Sequence, residues 1–294
     1  MAEPNYPSAF TIADSTSVSG QRIHLRLLQF ELAFLAVGSG LGAIGERESS
    51  IAASVVFVLA IVVRCYRMTE RPDRNWHTGR ASAESVKTLS WRYAVGGNPF
   101  GVEVPPADAD RLFVDRIQEV LEQARVLDVT TPPDPEQEQI TGWMTATRGA
   151  ALSERQAIYR THRLSDQQKW YAARAAHSVS RNRRWGVAVL AFECLGVVLA
   201  MVNAKDIFGV DGLSTSSLLG LAATLGAGAA AWMQARQYGA LATAYTIAHQ
   251  ELGAIRSLML HPLSEAEWAS FVDSAEGAVS REHTMWRASR SSER

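Results

Sequence analysis

Hydrophobic positions in this chain gather into four long runs, residues 27–45, 51–63, 185–204 and 213–233, arranged as two close pairs. Only a few polar residues separate the members of each pair: Glu46-Arg47-Glu48-Ser49-Ser50 in the first, and residues 205–212 in the second. A hydrocarbon core about 30 Å thick needs roughly 20 residues of helix to cross it. Three runs meet that length alone. The second needs Ser49, Ser50 and residues 64–66 to complete a span. The pattern therefore predicts four transmembrane helices as two tight hairpins, with spans at about 27–45, 49–66, 185–204 and 213–233.

Charge strengthens this reading and orients it. Of 29 Lys and Arg residues, only Arg47 and Lys205 lie in the two hairpin loops. The outer ends are basic: Arg22 and Arg26 precede the first run, and Arg64, Arg67, Arg71 and Arg74 follow the second. Arg181, Arg183 and Arg184 precede the third, and Arg236 follows the fourth. Basic flanks stay on the cytoplasmic side, so both termini and the long middle segment are expected there, in a cell inner membrane. The polar first 19 residues predict no cleavable signal. The competing reading is a soluble bundle with buried core helices, which 20% charged residues would permit.

Outside the runs the pattern is helical, and no strand-like alternation of useful length occurs. Pro105-Pro106 with Asp108 and Asp110 marks a helix start, followed by a stripe of Phe113, Ile117, Val120, Leu121, Ala124 and Leu127. Prolines at 132, 133 and 135 mark a linker. From about Ile140 to Arg184 no proline occurs, which predicts one helix running straight into the third span. Ser264 and Glu267 form a capping box, and Trp268, Val272, Ala275, Val279 and Trp286 make an apolar stripe behind it. The expected organisation is a polar segment 1–20, a first unit 21–130, a linker 131–139 and a second unit 140–294.

Candidate chemistry is sparse. Cys65 and Cys194 suggest neither a disulfide framework nor a zinc site, and the seven histidines lack ligand spacing. No catalytic or metal-binding constellation is present, so an enzyme, a metal site and a cofactor are not expected; a net charge of −1 argues against nucleic acid. Gly40, Gly42 and Gly45 spell a dinucleotide-binding pattern but lack the following ribose acid. The small residues Gly38/Gly42, Gly196/Ala200 and Ala222/Gly226 instead suit close helix packing in lipid, within a subunit or between subunits. Glu193 lies nine positions past Arg184, inside the third run. It either lines a water-filled path or hydrogen-bonds between helices, for instance with Ser216, Ser217 or Thr224. Glu31 stands nearer the basic end. Arginines 155, 160, 163, 174, 181, 183 and 184 interleave with Tyr159, Trp170, Tyr171 and Trp185. That face suggests a solvated stalk meeting lipid headgroups, or a site for nucleotide or anionic lipid.

Glu84, Lys87, Trp91, Arg92 and Tyr93, with the following Gly97-Asn98-Pro99-Phe100, resemble the cytoplasmic signature of bacterial SLATT-domain proteins (SMODS and SLOG-associating two-transmembrane effectors). Tyr159, Arg163, Gln167, Trp170 and Tyr171 resemble it in the second half, as do Ala13, Asp14, Ser17 and Gln21 ahead of the first hairpin. Arg174 departs from that pattern, which has Lys. The resemblance spans nearly the whole chain as two tandem units. It implies a membrane effector of prokaryotic conflict systems that assembles into pores when a nucleotide-signalling or sensor partner acts. Rival expectations are a constitutive channel or transporter and a non-conducting membrane scaffold.

Overall fold

Long apolar stretches and Ala-rich amphipathic ones leave the backbone a single regular solution, and no strand occurs among the described residues. The computed structural model describes residues 3–124, 138–204, 215–259 and 263–291. Most of the Pro-rich linker, the second hairpin loop and the Trp286 side chain lie outside the described residues. The chain is all-α, and four helical stretches are long and apolar enough to cross a membrane.

The helices are α1 (Ser8–Ile44), α2 (Arg47–Glu70), α3 (Pro72–Val95), α4 (Pro106–Gln123), α5 (Gly142–Arg148) and α6 (Leu152–Ile158). A π-helical segment (Tyr159–Ser165) leads into α7 (Asp166–Ala204), then α8 (Thr215–Arg236), α9 (Tyr238–Leu258) and α10 (Glu265–Ser291). They form two compact units, each discontinuous in the chain. A helical unit takes Met1–Gln21, Asp73–Ala175 and Thr243–Arg294; a four-span unit takes Arg22–Pro72 and Ala176–Ala242.

In the four-span unit, the first hairpin turns more tightly than its polar linker suggests. Gly45 (φ +80°) ends α1, and α2 begins at Arg47. Ser49 and Ser50 join the helix, the Ser49 hydroxyl donating to the Glu46 carbonyl at 2.8 Å. This extension supplies the length the short second run lacks. Contacts fix antiparallel pairings. Gly38 meets Phe57 between α1 and α2, Ser39 meets Thr224 between α1 and α8, and Phe192 meets Gly226 between α7 and α8. The exits of α2 and α8 repeat one device: Arg71 (φ 45°) and Gln237 (φ 48°) are left-handed, each donating its N–H to the carbonyl four residues back. That backbone region favours glycine, so neither stop announces itself in the sequence.

In the helical unit, the continuous helix expected from Ile140 is interrupted. Thr141 caps α5, its hydroxyl accepting from the Met144 N–H at 3.4 Å. The helix ends at Arg148 with Gly149 as its C-cap, and the Arg148 guanidinium reaches the carbonyls of the 93–104 turn. Arg155 covers the freed Ala150 carbonyl at 3.1 Å. The helical path into the third span therefore begins at Leu152. Two aromatic-rich clusters fill this unit. One joins Trp91, Tyr159, Tyr171, Leu252, Trp268 and Val272; the other joins Tyr93, Phe100, Phe113, Ile117 and Met144. Trp143 packs against both. The turn after α3 is a tight glycine stop. Gly96 sits at φ +74°, and a Cβ on Gly97 would stand 2.4 Å from Val272 Cγ1.

Candidate functional site

The intramembrane acids are the first candidates, and the four-span unit treats them differently. Glu31 on α1 is nearly buried and ion-paired to α2, with Arg67 Nη2 at 2.8 Å and Arg64 Nη1 at 3.6 Å. The antiparallel hairpin explains the pairing: Glu31 lies four residues into the first run and Arg64 directly follows the second. One carboxylate facing two guanidiniums leaves an excess positive charge at this basic end. Glu193 on α7 is exposed on the surface of the single chain. Thr224, one of the hydroxyls expected to reach it, donates instead to the Gly220 carbonyl at 2.9 Å, and its oxygen lies 3.2 Å from the Ser39 hydroxyl.

The small residues divide in the same way. A Cβ at Gly38 would stand 2.8 Å from Phe57 Cε1, so the aromatic ring uses the space that glycine leaves. A Cβ at Gly226 would meet Phe192 Cβ at 3.2 Å, and Ala222 is buried. Gly196 makes only ordinary contact with Leu219 at 3.8 Å. Gly42 and Ala200 face outward, and a Cβ on Gly42 would meet nothing within 4 Å. Gly40 and Gly42 lie inside helix α1, so no strand precedes the glycine pattern as dinucleotide binding would require.

The motif residues of the helical unit converge on a buried carboxylate that sequence reading did not single out. Glu276 on α10 is fully buried and accepts four hydrogen bonds. Arg163 supplies two, from Nε at 2.8 Å and Nη2 at 2.6 Å; Tyr159 Oη donates at 2.9 Å and Thr88 Oγ1 at 3.0 Å. The π-segment places Tyr159 and Arg163 side by side toward this acid. Burial opposes the charge on Arg163, but the adjacent Glu276 outweighs it and holds the guanidinium above its ordinary pKa. Burial, then Glu276, pushes the Tyr159 phenol well up, so it remains a donor. The expected solvated Arg/aromatic stalk is thus corrected. Arg155 and Arg163 are 2% and 1% exposed, because each has a specific acidic or carbonyl partner inside the fold. Arg160, Arg174, Arg181, Arg183 and Arg184 do remain exposed.

The other motif residues surround this network. Trp91 is buried, donates to Tyr6 Oη at 3.0 Å and stacks edge-on against Tyr159. Lys87 is half-buried over the Tyr6 ring, and burial followed by Arg163 lowers its pKa. Glu84, Gln167 and Trp170 are half-buried, and Trp170 carries Arg174 at 5.3 Å over its ring. Tyr171 is buried against Trp170 and Tyr245. Arg92 pairs with Asp273 at 3.0 Å. Tyr93 donates to Asp110, and burial together with that bond raises its pKa. Arg148 and Arg155 donate to carbonyls at the end of α3, where the helix leaves acceptors unpaired and cations are favoured. Ser17 donates to the Trp76 carbonyl at 2.9 Å, and Gly79 lets α3 approach α1 beside it.

Comparison with known families agrees with this division of motifs. No curated protein and no solved structure matches the chain. Residues 159–286 match the SMODS and SLOG-associating 2TM effector domain 1. Residues 7–156 match the SMODS and SLOG-associating 2TM effector domain 3. Each match contains one hairpin and one group of motif residues, and the boundary falls where α6 enters the π-segment. The chain therefore belongs to the SLATT family, as a tandem protein of two membrane effector domains associated with conflict systems.

Proposed function

We propose that this protein is a non-enzymatic effector of a prokaryotic conflict system that self-associates in the cell inner membrane and makes it permeable. Both termini and the helical unit face the cytoplasm, where a sensor or nucleotide-signalling partner triggers assembly. No cofactor and no nucleic acid takes part. The observation that carries this reading is Glu193. A carboxylate exposed on a single chain, deep in an apolar helix, costs several kcal/mol if lipid surrounds it. A second copy, or a water column between copies, removes that cost. The most apolar stretch of the third span has no buried residue, and Gly42 and Ala200 also face outward, which leaves surface for such contacts. The helical path from Leu152 to Asn203 gives a partner's signal a continuous covalent route toward that span.

Controlled expression with dye uptake and membrane-potential readout tests the proposal. Triggered or overexpressed native chain should admit dye. Glu193→Leu should insert at least as well, since a central acid is unfavourable for insertion, yet lose roughly tenfold in permeation, the scale of 1.4 kcal/mol in assembly. Correctly inserted native protein that leaves the membrane impermeant would overturn the effector reading. Steady conduction without any trigger would replace it with a constitutive channel.

A further inference from the structure

The four-span unit contains a groove that the spans do not fill. It measures about 530 Å³ and lies among α1, α2 and α8, within the size range of small-molecule sites. Its walls are apolar, formed by Leu28, Leu32, Leu35, Phe57, Ala227 and Ala231. Its charged end is the Glu31–Arg64–Arg67 cluster. The antiparallel register orders these features along the groove. Glu31 and the arginines stand at the basic end, while Ser39, Phe57 and Thr224 lie roughly 12 Å further along α1 at 1.5 Å per residue. Charge at one end and hydrocarbon walls along the rest form an amphipathic cleft.

We infer that this groove binds an anionic phospholipid, with its phosphate on Arg64 and Arg67 and an acyl chain along the walls of α1 and α8. Three observations favour this occupant. Two guanidiniums face one carboxylate, so a second anion completes the charge balance. The Arg64 side chain is 65% exposed and only loosely held by Glu31 at 3.6 Å, which leaves its planar fork available to a phosphate. The groove also begins where the apolar run ends and basic flanks begin, the depth at which phosphates lie. This inference needs only that the spans lie in a bilayer, and it stands or falls independently of pore formation.

Native mass spectrometry of the purified full chain in micelles doped with phosphatidylglycerol or phosphatidylcholine of equal chain length tests it. One arginine near a phosphate is worth about 1 kcal/mol, or about five-fold. Phosphatidylglycerol should therefore be retained at least about five-fold better, and Arg64→Gln should remove that preference. Arg47→Gln, at the far end of α2, should keep it. Glu31→Gln should raise retention, a gain that misfolding does not produce. Gly228→Leu places a side chain where a Cβ meets nothing within 4 Å and fills the groove without touching charge; it should abolish binding. Equal retention of the two lipids would overturn the inference. So would unchanged selectivity in Gly228→Leu, which would place the lipid on surface arginines alone.

Discussion

Glu276→Ala is expected to destabilise the helical unit by about 3–5 kcal/mol, because it leaves a buried guanidinium without a counter-ion. Arg163 is 1% exposed, so water cannot take over the lost partner. The change also strips the acceptor from the Tyr159 phenol, and an unsatisfied buried donor carries its own penalty. For a unit of this size the melting midpoint should fall by roughly 10 °C, read by differential scanning fluorimetry of the detergent-solubilised protein. Removing both charges together, with Arg163→Met and Glu276→Leu, should recover much of that loss, since an apolar pair of similar volume avoids desolvation. A single variant that melts like the native chain would show that the network carries little of the stability.

Trp268→Ala should cost about as much, roughly 3–5 kcal/mol, for a different reason. Its ring is fully buried between Tyr159, with centroids 5.6 Å apart, and Phe271 at 5.7 Å. Its indole N–H donates to the Val95 carbonyl at 2.8 Å, an acceptor shared with Arg155. Truncation would leave a cavity where α10 packs on the end of α3 and would expose that carbonyl's pairing to competition. Trp170→Ala is the control. Trp170 is half-buried and touches Tyr171, Tyr245 and Arg174 at the surface of the cluster, so a smaller loss is expected. Denaturant titration of both variants against the native chain gives the comparison; equal losses would contradict it.

The membrane hairpins were legible in the residues because lipid imposes a one-dimensional rule: length and absence of charge decide a span. The helix start at Pro106 and the cap at Ser264 were legible because capping is local. Glu267 indeed accepts from the Ser264 N–H at 2.8 Å. The break between α5 and α6 was not: Gly149 caps α5 there, while the carbonyls that hold Arg148 lie 44 to 55 residues earlier in the chain. Likewise Arg155 and Arg163 read as solvated cations. Their burial rests on Glu265 and Glu276, each more than a hundred residues away. Arg71 and Gln237 stop their helices in a conformation that glycine usually marks, which hid both turns.

For the candidate site the same division holds. Glu31 and Glu193 stood out as acids in apolar runs, and Gly38 as a close-packing position. Their partners did not stand out. Phe57 fills the space at Gly38, Arg64 and Arg67 hold Glu31, and the single chain leaves Glu193 exposed. Antiparallel register, rather than local spacing, sets the pairings of Gly38 and Glu31.

Topology is the premise beneath the proposed effector role, and thiol labelling of intact cells tests it most directly. On a background with Cys65 and Cys194 replaced by serine, Arg47→Cys and Lys205→Cys should react with a membrane-impermeant maleimide added outside. Glu154→Cys, exposed on α6 of the helical unit, should react only after the membrane is opened. Labelling of Glu154→Cys in sealed cells, with Arg47→Cys and Lys205→Cys protected, would contradict the account.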